Sequence, residues 1–251
     1  MPFQHLGAAD IVEVRTVIEQ HRNNYSYPGM YIDLPNDVDW NSPTHPCNLQ
    51  GPRGETDHAF ERHIYQALTA DEAKARFIGV ARVVYWGYAN AGYRENRVQK
   101  VWDGRADLVR IAEALEMASQ CAHEERFDDA IGCLDGIPQV QRIPFASKVI
   151  AFLNPAMAGV YDNKINNFLA HLQPRTQGVL REWLLPYAPN LHGPIGNARS
   201  AIARERYQQW CTFLQNNAFA LNAMGSTWGG KHQWRAVDVE RAIFDAANAN
   251  P

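Results

Sequence analysis

Apolar residues recur at helical spacing along most of this chain, and this pattern restricts the fold more than any other feature. In residues 103–119 (DGRADLVRIAEALEMAS), apolar positions fall at i, i+3, i+4, i+7 and i+10: Leu108, Ile111, Ala112, Leu115 and Ala118. Such spacing places them on one face of an amphipathic helix. No segment alternates polar and apolar residues over a length that predicts a strand. The sequence therefore predicts an all-α fold.

About ten short helices are expected, with boundaries set by capping residues, prolines and glycines. They are predicted at residues 11–20, 57–68, 69–89, 103–119, 127–134, 145–153, 163–172, 178–185, 198–216 and 237–247. Thr69 is expected to cap the third of these, because Glu72 follows at the spacing of a capping box. Residues 23–56 contain five prolines and are predicted to form a wrapped loop.

Charge is distributed unevenly along the chain, although the net charge is only −3. Residues 140–235 hold ten basic and three acidic residues, a net charge of +7, and the remainder carries −10. A basic segment attracts a polyanion by releasing the counterions condensed on it. The alternative is that the fold rebalances these charges in space and leaves an ordinary solvated face.

Several classes of protein are disfavoured by the sequence. The four cysteines show no spacing typical of a metal site and are expected to be reduced, as in a cytoplasmic protein. The cluster His45, Cys47, His58 and His63 fits no zinc motif, so neither a metal nor a cofactor is expected. No apolar run reaches the ~18 residues of a membrane helix, and the first residues do not resemble an export signal. We therefore expect a cytoplasmic protein without membrane contact.

A lysine within an apolar helix is the first candidate for chemistry. Residues 134–148 read as a helix end, a glycine turn, a hairpin and the start of a second helix that contains Lys148. The neighbours of Lys148 in residues 145–153 (FASKVIAFL) are apolar or small. Partial desolvation favours the neutral amine, which is the nucleophilic form. The alternative is a lysine that extends its ammonium group to solvent.

An aspartate fourteen residues further on is the second candidate. Asp162, in GVYDNKI, follows a turn and is predicted at the N-cap of the next helix, where backbone N–H groups and the helix dipole stabilise its charge. Taken alone, such a residue is usually an ordinary cap. Beside an amine, however, a fixed carboxylate suits cleavage of a glycosidic bond at C1′. It stabilises the oxocarbenium-like cation as the base leaves, and the amine then captures C1′ as a Schiff base.

The order hairpin, lysine, apolar helix, Val-x-Asp and helix resembles the helix-hairpin-helix DNA glycosylase superfamily, and within it the 8-oxoguanine glycosylase type. The resemblance implies that Lys148 is the Schiff-base nucleophile and Asp162 the catalytic acidic residue. It also implies one glycosylase-like unit over residues 1–251. Two helical lobes, at about 60–135 and at 136–251 with the N-terminal segment, would flank the active site. Residues 143–147 (IPFAS) replace the glycine-containing hairpin of that family, and Gly159 replaces its usual proline.

A narrower resemblance is to bacterial glycosylases, related to the 8-oxoguanine enzymes, that serve in anti-phage defence. It implies that the partner is double-stranded DNA and that the substrate is a hypermodified base. An example is α-glucosylated hydroxymethylcytosine in T-even-type phage DNA. An 8-oxoguanine-type repair glycosylase with lyase activity is the alternative substrate assignment.

Enzymes of this kind extrude the target base and hold it between flat side chains. The candidates for the base pocket are aromatic residues from three segments: Tyr85, Trp86, Tyr88, Tyr161, Trp228 and Trp234. The candidates for contact with the DNA backbone are four basic residues: Arg142, Lys164, Lys231 and Arg235. In the alternative interpretation, Tyr85 and Tyr88 belong to a core stripe and Trp86 is buried with them.

Two functional hypotheses follow from the sequence. The first is a DNA glycosylase, with or without lyase activity. The second is a non-catalytic helical protein that binds nucleic acid and has kept the hairpin layout.

Overall fold

The computed structural model describes residues 2–26, 31–33, 38–50, 56–88, 92–172 and 178–249. Within these ranges the chain forms twelve α-helices, one short 3-10 helix (Arg105–Asp107) and one pair of strands. The helices are α1 Ala8–Asn24, α2 Asp57–Leu68, α3 Ala73–Gly87, α4 Arg94–Trp102, α5 Leu108–His123, α6 Phe127–Cys133, α7 Ile143–Leu153, α8 Asn163–Ala170, α9 Gly178–Leu184, α10 Ala188–Leu191, α11 Ala201–Ala223 and α12 Ala236–Ala249. The predicted all-α class is confirmed.

The two strands lie in the proline-rich stretch that was predicted to be a loop. Strand β1 (Tyr31–Asp33) pairs antiparallel with β2 (Asn48–Gln50), and Ile32 lies opposite Leu49. Each strand has three residues, which is too short for a recognisable alternation of polar and apolar positions. Ile32 is fully buried, and β1 packs against α3. Other parts of the predicted loop, residues 27–30, 34–37 and 51–55, lie outside the described residues.

The start of α3 differs from the prediction. The Thr69 hydroxyl donates to the carbonyl of Tyr65, and the Thr69 backbone N–H donates to the same carbonyl. Thr69 therefore ends α2 rather than capping α3, and the predicted capping box does not form. Glu72 occupies the N-cap of α3 without a side-chain cap bond. A hydroxyl can serve either end of a helix, so the four-residue pattern alone does not decide between them.

Helix α7 lies at the centre of the core. Its residues are buried on every side except for the half-buried Pro144 and Phe145, and it packs against α2, α3, α5, α6 and α11. A helix that is apolar all round is stable only when protein surrounds it. Helix α1 packs against α9 and α12, and α8 packs against α10 and α12. The division into two lobes stays a prediction.

A buried cluster of six charged residues joins α1, α2 and α12. It contains three arginines and three acids: Arg22, Asp57, Glu61, Arg235, Asp238 and Arg241. Burial by itself raises the pKa of Asp238. The hydrogen bond from Arg235 and the charges of Arg241, Arg235 and Arg22 outweigh that effect and lower this pKa to about 2. Equal numbers of opposite charges make such a cluster tolerable in the core.

Within the residues that the structure describes, no helix is both long enough and apolar enough to cross a membrane.

Candidate active site

Helix α7 carries Lys148 into a nearly closed environment. Arg142 is the N-cap and Pro144 lies in the first turn, where a missing N–H has no cost, so the helix begins two residues earlier than predicted. The Lys148 residue is 8% exposed. Its Nζ donates to the carbonyl of Pro144 at 3.2 Å and lies 5.3 Å from the ring centre of Phe145. The ammonium is thus held over the first turn of its own helix.

Asp162 occupies the N-cap of α8, as predicted. Its Oδ1 accepts the backbone N–H groups of Lys164 at 3.0 Å and Ile165 at 3.2 Å. The other oxygen, Oδ2, lies 3.8 Å from Nζ of Lys148. The Asp162 side chain is 19% exposed and that of Lys148 10% exposed, so both reach the surface. The helix start fixes one carboxylate oxygen and leaves the other directed at the amine.

The segment before Asp162 is fixed from two helices. The hydroxyl of Ser147, next to Lys148 on α7, accepts the N–H of Tyr161 at 3.0 Å. From α11, the Tyr207 hydroxyl donates to the carbonyl of Gly159 at 3.1 Å, and the Trp210 indole donates to that of Val160 at 2.9 Å. Because buried side chains satisfy successive peptide groups, the loop has little freedom to move Asp162 away from Lys148.

Gly87, at the end of α3, has a role that the sequence analysis missed. A Cβ at this position would lie 2.5 Å from Cε1 of Phe145 and 3.2 Å from Cδ of Lys148. Any side chain there would displace the lysine stem or the ring beside it. The signal was the glycine itself, within the apolar run of α3, because an isolated glycine in a helix often marks a close approach.

One predicted pocket residue, Trp86, lies near Lys148, and another, Tyr88, packs on the neighbouring Phe145. The ring of Trp86 is 5.9 Å from Nζ of Lys148, and the half-buried Tyr88 stacks on Phe145 with ring centres 4.6 Å apart. The exposed Tyr93 packs edge-on against Tyr88 at 5.5 Å. These side chains form an aromatic wall along one side of the amine. Tyr88 therefore remains a candidate for base contact. Trp86 is 7% exposed and packs against Phe60 and Phe152, so its position agrees with the alternative interpretation of a buried residue.

Tyr85 belongs to the core. It is 2% exposed, and the guanidinium of Arg94 lies 5.3 Å from its ring centre. The alternative reading of Tyr85 as a buried stripe residue describes its position better than a place in a base pocket.

Three other pocket candidates are corrected to core positions. Tyr161 is 1% exposed, and its hydroxyl donates to the carbonyl of Leu191 at 2.5 Å. The indole of Trp234 donates to the hydroxyl of Ser226 at 3.0 Å. Trp228 is buried, with the Arg22 guanidinium 3.7 Å from its ring centre. Because all three rings are buried among neighbouring side chains, their faces are not open to an extruded base.

The four predicted DNA contacts fall into two groups. Arg142, Lys164 and Lys231 are exposed, and Lys164 hydrogen-bonds the Asn248 side chain. Arg235 instead donates to the carboxylates of Glu61 at 2.7 Å and Asp238 at 2.8 Å, within the buried charge cluster. The prediction for Arg235 is corrected, because two carboxylates already occupy its guanidinium. The other three positions stay predictions.

Among the described residues, no group of three His, Cys, Asp or Glu side chains could hold a metal ion.

A family model described as "Putative 8-oxoguanine DNA glycosylase OGG-like protein" matches residues 43–244. The match covers most of the 251 residues and includes both Lys148 and Asp162. No curated protein and no solved structure matches the chain.

Proposed function

Because this chain belongs to the 8-oxoguanine DNA glycosylase OGG-like family, we propose that it is a DNA glycosylase that uses Lys148 and Asp162 to cleave an N-glycosidic bond. The observation that carries this proposal is the 3.8 Å separation between Nζ of Lys148 and Oδ2 of Asp162, with Oδ1 held by the start of α8. A family of this kind implies that the partner is DNA.

Asp162 supplies the electrostatic part of the mechanism. As the base departs, positive charge develops on C1′ and on the ring oxygen of the sugar. A carboxylate whose position is already fixed stabilises that charge without reorganising during the reaction. Two backbone N–H groups hold Asp162 in this way, so its free oxygen is the one available to the sugar.

Lys148 supplies the nucleophile in a balanced sequence of steps. The nitrogen of the neutral amine forms a bond to C1′ as the bond from C1′ to the base breaks. The departing base then takes one of the two protons on the nitrogen, which the new bond has made positively charged. Opening of the sugar ring then moves a second proton from nitrogen to O4′ and leaves an imine. If water adds to C1′ instead, Asp162 alone is required and no covalent adduct forms.

For the substrate we propose a hypermodified cytosine, α-glucosyl-hydroxymethylcytosine in phage DNA, which would make the protein an anti-phage enzyme. The support is the narrower resemblance to bacterial defence glycosylases, together with the aromatic wall beside Lys148, whose faces suit stacking against a base or a sugar ring. The competing substrate is 8-oxoguanine. A cytoplasmic location accords with either substrate and stays a prediction.

The experiment incubates the protein with three DNAs: glucosylated T-even phage DNA, a duplex containing 8-oxoguanine, and unmodified DNA. Mass spectrometry identifies the released base. Release from the first DNA alone supports the phage substrate, and release from the second alone supports a repair enzyme. Binding without any base release would leave the non-catalytic hypothesis and refute the enzyme.

Two variants assign the roles, with a third as control. Asp162→Asn keeps an oxygen for the helix cap but removes the charge, so we expect base release to fall on the order of a hundredfold or more. Lys148→Gln should abolish trapping of a covalent adduct by borohydride. Lys100→Ala removes an exposed ammonium on α4 and controls for a general loss of positive charge. Unchanged base release in Asp162→Asn would contradict the mechanism.

A further inference from the structure

A second acidic residue is buried next to the loop that carries Asp162. Glu240 lies on α12 and is 4% exposed. Helix α12 is anchored to the segment after α7, because the N–H of Ala236 donates to the carbonyl of Ala156 at 2.9 Å. A Cβ at Gly159 would lie 2.8 Å from Cβ of Glu240, so the bare backbone of the loop rests on the glutamate stem. Its carboxyl group also makes a hydrogen bond with the backbone of Val160.

Several charges act on this carboxyl group. Burial has the largest effect and raises its pKa, and the negative charge of Asp162 raises it further. The positive charges of Arg241 and Lys148 and the Val160 hydrogen bond act in the opposite direction, and the resulting pKa is about 8. On α11, burial raises the pKa of the Tyr207 hydroxyl, and the charge of Glu240 adds a smaller contribution in the same direction. At neutral pH most of the Glu240 carboxyl groups are therefore protonated.

We propose that Glu240 is a positioning residue for the reaction assigned above to Lys148 and Asp162. It supports the loop that presents Asp162, and by carrying a proton it leaves Lys148 facing one carboxylate charge rather than two. This inference rests on the proposed glycosylase function. It adds a residue that neither the sequence pattern nor the resemblance identified.

The proton matters because a second carboxylate charge would change both catalytic groups. It would attract the side-chain nitrogen of Lys148 and so compete with C1′ for that group. It would also repel the carboxylate of Asp162 across a buried space where water screens poorly. Glu240 neither gains nor loses a proton over the catalytic cycle, since the departing base and O4′ receive the protons of the amine.

The test compares Glu240→Ala and Glu240→Gln with the unmodified chain, in single-turnover base release and in borohydride trapping across a pH series. Glu240→Ala leaves a cavity under the loop, so we expect both rates to fall on the order of ten- to a hundredfold. Glu240→Gln should restore them at neutral pH, because an amide offers Val160 the same uncharged carbonyl. Above about pH 8 the unmodified chain should decline as Glu240 ionises, whereas the glutamine variant should not.

The outcomes separate the two proposals. If the unmodified chain releases no base from any of the three DNAs, the glycosylase proposal fails and the role of Glu240 in it fails as well. If the unmodified chain is active and Glu240→Gln shows the same pH profile of base release as the unmodified chain, only the inference about Glu240 is wrong. Inactivity of Glu240→Gln at neutral pH would also overturn the inference, because it would mean that the reaction needs an ionised carboxylate at position 240.

Infrared spectra of the free protein provide an independent measurement of the protonation of Glu240. We expect a band of a protonated carboxyl group in the unmodified chain at neutral pH and its loss in Glu240→Gln. Identical spectra of the two proteins would contradict the inference that Glu240 is protonated.

Discussion

The buried carboxyl group of Glu240 makes a quantitative prediction about stability, independent of any substrate. In the folded chain burial raises its pKa to about 8, from 4.5 for an ordinary glutamate. Between these two values the unfolded chain has lost the proton and the folded chain still holds it. The folded state therefore binds more protons, and the free energy of unfolding must decrease as the pH rises. The contribution of Glu240 to stability is fully present below the pKa of the unfolded chain, and it is lost as the pH rises through the pKa of the folded chain.

The slope follows from the number of protons. One proton that is bound only in the folded state lowers the free energy of unfolding by about 1.4 kcal/mol for each pH unit. Glu240 should therefore lower the free energy of unfolding by about 3 kcal/mol between about pH 5 and pH 7. Glu240→Gln removes the titrating group but keeps nearly the same volume. Compared with the unmodified chain, the variant should gain stability steadily across this window, because every other titrating group is common to both proteins.

Urea denaturation at several pH values measures this difference, provided that the dependence on urea concentration stays the same in both proteins. Glu205→Gln, which removes an exposed carboxylate from α11, controls for the general effect of the substitution. A constant difference in unfolding free energy between the glutamine variant and the unmodified chain would refute the reasoning. It would mean that Glu240 titrates alike in the folded and unfolded states.

Three further substitutions test the structure around the site. Gly159→Ala places a methyl group 2.8 Å from Cβ of Glu240 and should destabilise the fold by about 1–3 kcal/mol, measured by urea denaturation. Arg241→Met removes a fully buried guanidinium and leaves the Asp238 carboxylate short of a partner, which should cost about 3–5 kcal/mol in the same assay. Asp162→Ala loses the cap of α8 and should be about 1 kcal/mol less stable than Asp162→Asn, while both are inactive in base release. Equal stability of the two Asp162 variants would contradict the cap assignment.

The sequence predicted the helices wherever periodicity and caps agreed. Helix α5 buries Ile111, Leu115 and Ala118 from the predicted stripe. Helix α4 was missed, because only Val98, Val101 and Trp102 are buried among its polar residues. Three apolar positions in nine residues are a weak signal for a helix that is mainly stabilised by packing against its neighbours.

Local signals predicted the elements on which Lys148 and Asp162 lie, and the family resemblance implied that the two side chains meet. One lies in an apolar helix, and the other follows a turn at a recognisable N-cap. The aromatic candidates had no such signal. Trp86 and Trp234 are both tryptophans with little exposure, yet one lies beside Lys148 and the other donates to Ser226. Which face of the fold a ring occupies depends on contacts between distant segments, and the sequence does not encode these in its spacing.

The count of charges along the chain likewise failed to describe the surface, because charged residues that are distant in sequence pair with each other in the fold. Arg235, counted in the basic segment, is neutralised by Glu61, which lies 174 positions earlier in the chain. The acidic C-terminal flank is neutralised as well, since Asp238 pairs with arginines and Glu240 is protonated at neutral pH. These acids therefore contribute little repulsion at the surface. The electric field at the surface therefore depends on which charged side chains are exposed and unpaired, more than on the net charge of the chain.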